Sequence, residues 1–307
     1  MAGDWLFRIG SFARYLLRSG NTLGYGIHSP HLFTIARVIV PEQAQYYCFS
    51  EIEAVRQELV RRRDAIRVVD YGTGSLIRSK GERTQTTIKA DSGDKAVSYS
   101  SVSKADTSPT LGEELRRVSR EELRVVGEVA RRSLMSREEA QMLFRLVNYE
   151  EAQMIVELGT CLGVTTAYLA KPRREAEVWT FEGSEALLEI AKSNWKRLGI
   201  NNIHAVPGNI DETLETTVAG WEKPVDFALI DANHCYDATV RYFDVLAKKA
   251  TEKSVFAVDD IRRDKEMWRA WEAIGKREDV TARMDLGQMG LVFFDKHLPK
   301  EVFTLRV

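Results

Sequence analysis

Cysteine is scarce in this chain of 307 residues: Cys48, Cys161 and Cys235 lie far apart, with no CxxC and no Cys/His spacing of the kind zinc requires. That excludes a disulfide framework and points to a reducing compartment. An excess of one charge is also missing. Lys plus Arg total 44 against 45 for Asp plus Glu, so the overall field gives no reason to expect nucleic acid as a partner, and a small-molecule or protein substrate is the default. Nor is there an apolar run long enough for a signal peptide or a membrane span, because Asp4, Arg8, Arg14 and Arg18 interrupt the hydrophobic residues at the amino end. The expectation is a cytoplasmic protein with no membrane partner. A hydrophobic content of 44% can bury a full core without staples.

Trp5, Leu6, Ile9, Phe12, Leu16 and Leu17 recur at helical spacing between arginines, which predicts an amphipathic helix over Asp4 to Arg18. Its apolar face is expected to pack on the main domain or on a second copy of the chain. A turn-rich stretch around His28, Pro30 and His31 leads into helices predicted over Leu32 to Val40 and Phe49 to Arg63. Arg67 to Asp70 reads as a short strand ending in the turn Tyr71-Gly72-Thr73-Gly74-Ser75. From Arg78 to Thr110 the chain is poor in apolar residues and reads as a polar insertion. Charged helices are expected over Leu111 to Ser133 and Arg137 to Val147. The resulting division is a helical cap over 1–66, a strand, turn and insertion over 67–112, and a main domain over 113–307.

Beyond Glu151 the pattern becomes regular. Short apolar runs at Met154 to Leu158, Glu177 to Glu182, Asn202 to Val206, Val225 to Asp231 and Ser254 to Asp260 alternate with helical stretches at Val164 to Ala170, Ser184 to Leu198, Asp211 to Ala219 and Tyr236 to Ala250. Such alternation means a parallel sheet covered on both faces. One more helix, Lys265 to Lys276, and two closing strands, Val280 to Asp285 and Met289 to Phe294, complete it.

Four of these strand ends carry ligand-type residues. The first runs Glu157-Leu158-Gly159-Thr160-Cys161-Leu162-Gly163, an acid followed by glycines that open a helix. Glycine there permits a tight turn and close approach of a ligand to the backbone. The second ends at Glu182, placed to accept from two ribose hydroxyls; the third at Pro207-Gly208-Asn209; the fourth at Asp231-Ala232-Asn233-His234. Open α/β sheets bind ligands at this carboxyl edge. The Gly72-Thr73-Gly74 turn is a rival, but Leu76 takes the third glycine position and no amphipathic helix follows.

With these residues in view, the chain from about Gly24 onward resembles bacterial class I methyltransferases of the O-methyltransferase-like group, which use S-adenosylmethionine (SAM). The resemblance is carried by His28-Ser29-Pro30, Leu143 to Tyr149, Glu157 to Gly163, Asp226 to Tyr236 and Val258-Asp259-Asp260-Ile261. It implies an α/β Rossmann-like, doubly wound, seven-stranded sheet with an antiparallel last strand, here with an N-terminal helical extension. It implies Glu157, Gly159, Thr160, Gly163, Glu182, Gly183, Asn209 and Asp231 as cofactor-side residues, and methyl transfer to an oxygen of a small molecule.

In metal-dependent, catechol-type members an acid at the position of Asp231 and an Asp-Asn pair after the next strand hold Mg2+; here the pair reads Asp259-Asp260. Those members carry a lysine base where His234 stands. His234 either takes the acceptor proton, together with Asp231 as the catalytic pair, or caps the next helix and ties the loop. Asp259 and Asp260 either bind a metal with Asp231 or cap the helix beginning near Arg263. Two other functions compete. A nicotinamide-dependent oxidoreductase shares the acid after the second strand but needs GxGxxG spacing that Gly159 to Gly163 lacks; a non-catalytic SAM-binding protein would keep Glu157 and Glu182. A homodimer formed through the N-terminal helices is also expected.

Overall fold

The computed structural model describes residues 2–19, 24, 26–71 and 120–306. Ahead of the main sheet come helices α1 (Ala2–Arg18), α2 (Pro30–Thr34) and α3 (Tyr47–Arg61), strand β1 (Ala65–Asp70), strand β2 (Arg120–Val125), and helices α4 (Val126–Ser133) and α5 (Arg137–Tyr149). Ser29 starts α2 by accepting the Leu32 amide, and the helix passes into a π-helical turn over Ile35–Ile39. The apolar stripe of α1 turns outward: Trp5, Leu6, Ile9, Phe12 and Leu17 are exposed, while Ser11 and Tyr15 face the protein. The expected packing of that stripe on the main domain is therefore not found. Instead the Tyr15 hydroxyl donates to the Leu305 carbonyl at 2.7 Å and its ring lies under the Arg262 guanidinium.

Residues 120–125 correct the expectation of a helix over Leu111 to Ser133. They pair antiparallel with β1, Ala65 opposite Val125 and Asp70 opposite Arg120. A lone β1 would leave its backbone groups without partners, and this tertiary demand outweighs the helical spacing of Leu123 and Val126. Only from Val126 does the helix begin, burying Val126, Val129 and Ala130. The Gly72–Gly74 turn and the polar stretch from Arg78 to Thr110 lie outside the described residues.

The main sheet is built from β3 (Met154–Leu158), β4 (Glu177–Glu182), β5 (Ile203–Pro207), β6 (Val225–Ile230), β7 (Ala250–Val258), β8 (Ala282–Asp285), β9 (Gly290–Phe293) and β10 (Glu301–Thr304). Between them run α6 (Val164–Ala170), α7 (Glu185–Arg197), α8 (Ile210–Ala219), α9 (Tyr236–Ala247) and α10 (Lys265–Lys276). The strand order is β10-β8-β9-β7-β6-β3-β4-β5. All neighbours are parallel except β9, which runs against both β7 and β8. Seven strands thus stand in the order of the resembled sheet. β10 is an addition, parallel to β8 at the edge, so the antiparallel strand is not the last in the chain.

Side chains alternate between two apolar layers. Ile155, Phe227 and Leu229 join the cluster that includes α5, α6 and α7, whereas Met154, Val156, Leu158, Ala228 and Ile230 join that of α8, α9 and α10. Burial on both faces explains why the central strands read as continuous apolar runs. The order reverses at β3, whose neighbours are β4 on one side and β6 on the other, so helices leave the sheet in opposite directions there and open a crevice beyond the strand ends.

Candidate active site

That crevice is a cleft of about 630 Å³, and its wall carries Gly159, Thr160, Cys161, Glu182, Gly183, Asn209, Asp231, His234, Asp259 and Asp260. Most of the residues singled out in the sequence therefore meet in one place. The volume suits a ligand of nucleoside-amino-acid size.

The turn after β3 sets one end. Gly159 has φ +102° and an added Cβ would stand 2.2 Å from the Asp231 carbonyl, so both its conformation and its closeness to the neighbouring strand demand glycine. Cys161, at φ 51°, directs its amide to Oε2 of Glu182 at 2.8 Å, and the Ser184 amide donates to Oε1 at 2.9 Å. The Glu182 carboxylate is thereby held at the mouth of the turn.

Gly163 and Glu157 sit behind the wall. The glycine at 163, with φ +74°, accommodates Trp195, whose indole N–H donates to the Gly163 carbonyl at 2.8 Å. Glu157 is fully buried. Its Oε2 accepts from the Thr166 and Thr180 hydroxyls, each at 2.6 Å, and Thr180 in turn bonds Thr160 at 2.6 Å. Oε1 has no hydrogen-bond partner, and burial pushes the carboxyl up to about 7. Asn209 borders the cleft and caps α8, its Oδ1 accepting from the Asp211 amide at 3.1 Å.

At the other end three acids and a histidine converge. Asp231, Asp259 and Asp260 line the same end of the cleft. Burial, then the charges of Asp259 and Asp260, hold Asp231 well above the usual carboxylate range, and burial lifts Asp259 to about 7. Like charges crowded into a poorly solvated site favour the protonated form of each. Oδ1 of Asp259 is buried without a hydrogen-bond partner. His234 stands with Nε2 3.5 Å from Asp231 and Nδ1 3.6 Å from Asp260, and burial lowers its pKa. Asn233, His234 and Asp260 have φ of 63°, 34° and 57°, a cluster of left-handed backbone at the site itself.

None of these side chains caps the helix that follows it. Cys235, not His234, precedes α9 as its cap, and α10 is capped by Asp264, whose carboxylate accepts the Met267 amide at 2.9 Å. Sequence reasoning missed Gln288, which donates to Asp260 from the turn between β8 and β9, and Arg263, 3.9 Å from Asp260. It also missed Ser136 and Glu139, which line the cleft from outside the sheet, as does Tyr71 at the start of the glycine turn considered as a rival. His31 lies elsewhere, bonded to Glu150 at 2.8 Å, and His28 is on the surface.

Residues 156–261 match a family described as a methyltransferase domain. Over these residues the chain is similar to a methyltransferase domain. Among curated proteins it is similar to a catechol O-methyltransferase of Mycobacterium tuberculosis, 28% identical over 134 residues, which are 43% of this chain and 59% of that relative. Among solved structures, an O-methyltransferase from Bacillus cereus in complex with SAH, the demethylated product of SAM, is 24% identical, with a TM-score of 0.48 over 53% of this chain and 83% of the other. A Streptomyces achromogenes O-methyltransferase in complex with SAM is 22% identical, with a TM-score of 0.48 and the same 53% of this chain against 82% of its own. The domain accounts for the turn after β3 and the acids after β6 and β7; α1 to α5, the β1–β2 ribbon and β8 to β10 lie outside the matched residues.

Proposed function

We propose that the chain is a SAM-dependent methyltransferase acting on an oxygen of a small-molecule acceptor. One observation carries this reading: a carboxylate held by two backbone amides, Glu182, shares a cleft with an acid and histidine cluster at the carboxyl edge of the sheet. Glu182, Gly159, Thr160, Gly183 and Asn209 form the cofactor side, with Glu157 and Gly163 shaping the turn from behind. Asp231 and His234 face the acceptor.

SAM bound there supplies a methyl group on a sulfonium. Its chemistry would be methyl donation to the acceptor oxygen, with the C–S electron pair left on sulfur, and His234 would take the acceptor proton. Because burial lowers the pKa of His234, the imidazole is neutral near pH 7 and free to take that proton. Enclosure in the cleft aligns acceptor and methyl and removes water from both, which supplies most of the rate.

The acids also fit a divalent cation such as Mg2+. A buried oxygen of Asp259 without a hydrogen-bond partner, beside Asp231 and Asp260 in the cleft wall, is a donor set a hard ion would satisfy. Asp231, Asp259 and Asp260 would hold it, and its charge would lower the pKa of an acceptor hydroxyl. The outward apolar stripe of α1 supports a homodimer, and three free cysteines support a cytoplasmic setting. No helix among the described residues is long and apolar enough to cross a membrane.

Parallel calorimetric titrations with SAM, SAH and NAD test the reading. Heat with SAM and SAH and none with NAD is expected; binding of NAD alone would replace it with oxidoreduction. Binding of SAM without turnover of any phenol or catechol acceptor, with or without Mg2+, would leave a non-catalytic binder.

A further inference from the structure

The cleft has a wall that the methyltransferase domain does not supply. The β1–β2 ribbon makes no pairing with the main sheet and packs against α7, the helix that follows Glu182. From it Val68, Val69 and Tyr71 reach the cleft. The Tyr71 ring lies directly on Gly183: a Cβ added there would stand 2.4 Å from Cδ2 and 2.8 Å from Cε2. Gly183 has no left-handed φ to explain it, so at this position glycine answers the closeness of the ring and not a backbone strain.

We propose that Tyr71 is a cofactor-binding residue that walls the nucleoside end of the cleft; this rests on the SAM reading above. Gly183 directly follows the carboxylate that accepts the ribose hydroxyls, so a ring seated on its peptide stands beside the ribose and offers its face or edge to the attached purine. Leu187 and Ile210 complete the apolar lining there. An aromatic face in that position gains stacking energy with a base. It also keeps water from the Glu182 carboxylate, which strengthens the hydrogen bonds that carboxylate accepts. The cofactor would then be gripped from two parts of the chain: the carboxylate from β4, and the ring from a strand more than a hundred residues earlier.

Equilibrium binding of SAH and of 5′-methylthioadenosine, which keeps the nucleoside but lacks the amino-acid end, tests this on the full chain. Tyr71→Phe should bind both as wild type does. Tyr71→Ala should lose about ten-fold for both, the size of one base–aromatic contact. Gly183→Ala, whose methyl displaces the ring, should lose affinity in the same direction. Melting without ligand reads the purely structural alternative, since a peg that only holds the ribbon would lower the melting temperature of Tyr71→Ala and leave affinity unchanged. If Tyr71→Ala fails to fold, Tyr71→Leu keeps apolar bulk against α7 and should still bind SAH more weakly than wild type. Wild-type affinity in both Tyr71→Ala and Tyr71→Leu overturns the proposal, as does a loss confined to the acceptor KM. Failure of the wild type to bind SAH would instead remove the SAM reading beneath it.

Discussion

The amide of Cys161 donates to Oε2 of Glu182 across 2.8 Å, tying the glycine turn after β3 to the end of β4. With the Ser184 amide on Oε1, it fixes the orientation of the carboxylate. Replacing Glu182 by Ala removes both the ribose acceptor and the tie. SAH affinity should fall at least about ten-fold, since each of two lost hydrogen bonds is worth about 1 kcal/mol. Calorimetry reads it, and an unchanged Kd would take Glu182 out of the site.

Gly159→Ala meets two penalties at once, a left-handed φ and a Cβ 2.2 Å from a backbone oxygen. A stability loss on the order of 3 kcal/mol or more is expected, with loss of SAH binding. Gly199→Ala is the control: φ is +63° but nothing lies within 4 Å, so only backbone strain of about 1 kcal/mol applies. Equal melting temperatures for the two variants would contradict the close approach of Asp231.

His234→Asn should lower kcat about 10²- to 10⁴-fold and leave SAH affinity unchanged. In the wild type kcat should fall on the acid side as His234 takes a proton, and that limb should vanish in the variant. An acid limb that survives the substitution belongs to another group.

Any Mg2+ binding should weaken as pH falls through about 7, because Asp259 is protonated below that value and must lose its proton to take the ion. Titrations with MgCl2 at pH 6 and pH 8, in two buffers of different ionisation heat, measure the affinity and the protons released. Asp259→Asn should abolish both. A pH-independent affinity would place the ion elsewhere.

Glu157 is the clearest source of pH-dependent stability. Its carboxyl titrates at about 7 in the fold against 4.5 in an exposed setting. Between these values the folded chain holds a proton that the unfolded chain has released. Stability from this group is therefore complete below 4.5 and declines as pH rises to 7, by an amount on the order of 3 kcal/mol. Glu157→Gln should flatten the melting temperature over that window; a variant that tracks the wild type assigns the decline to Asp231 and Asp259.

Much of this architecture was legible because burial on both faces leaves a plain trace. β3, β4, α6 and α10 lie where the apolar runs and helical spacing put them. The signal failed where a strand depends on a distant partner. Arg120–Val125 has four charged residues among its six and takes its form from β1, while β10 is four residues at an edge with only Phe303 buried. The site followed the same rule. Glu182 and Gly159 stand at strand ends and could be named from spacing alone, whereas Arg263 and Gln288 arrive by tertiary folding, and Tyr71 opens a glycine turn whose spacing does not show that it meets Gly183. Gly163 belongs to the motif in sequence, yet in space its lack of a side chain makes room for Trp195.

The reversal of β9 has a consequence for divergence among related chains. Running against its neighbours, it returns the β8–β9 hairpin to the carboxyl edge, where the Gln288 carbonyl accepts from the Ile261 amide at 3.0 Å and its side chain meets Asp260. The hairpin tip lies beyond residue 261, where the family match ends. A single exchange at the tip can therefore retune the acids while every residue by which the domain is detected stays the same.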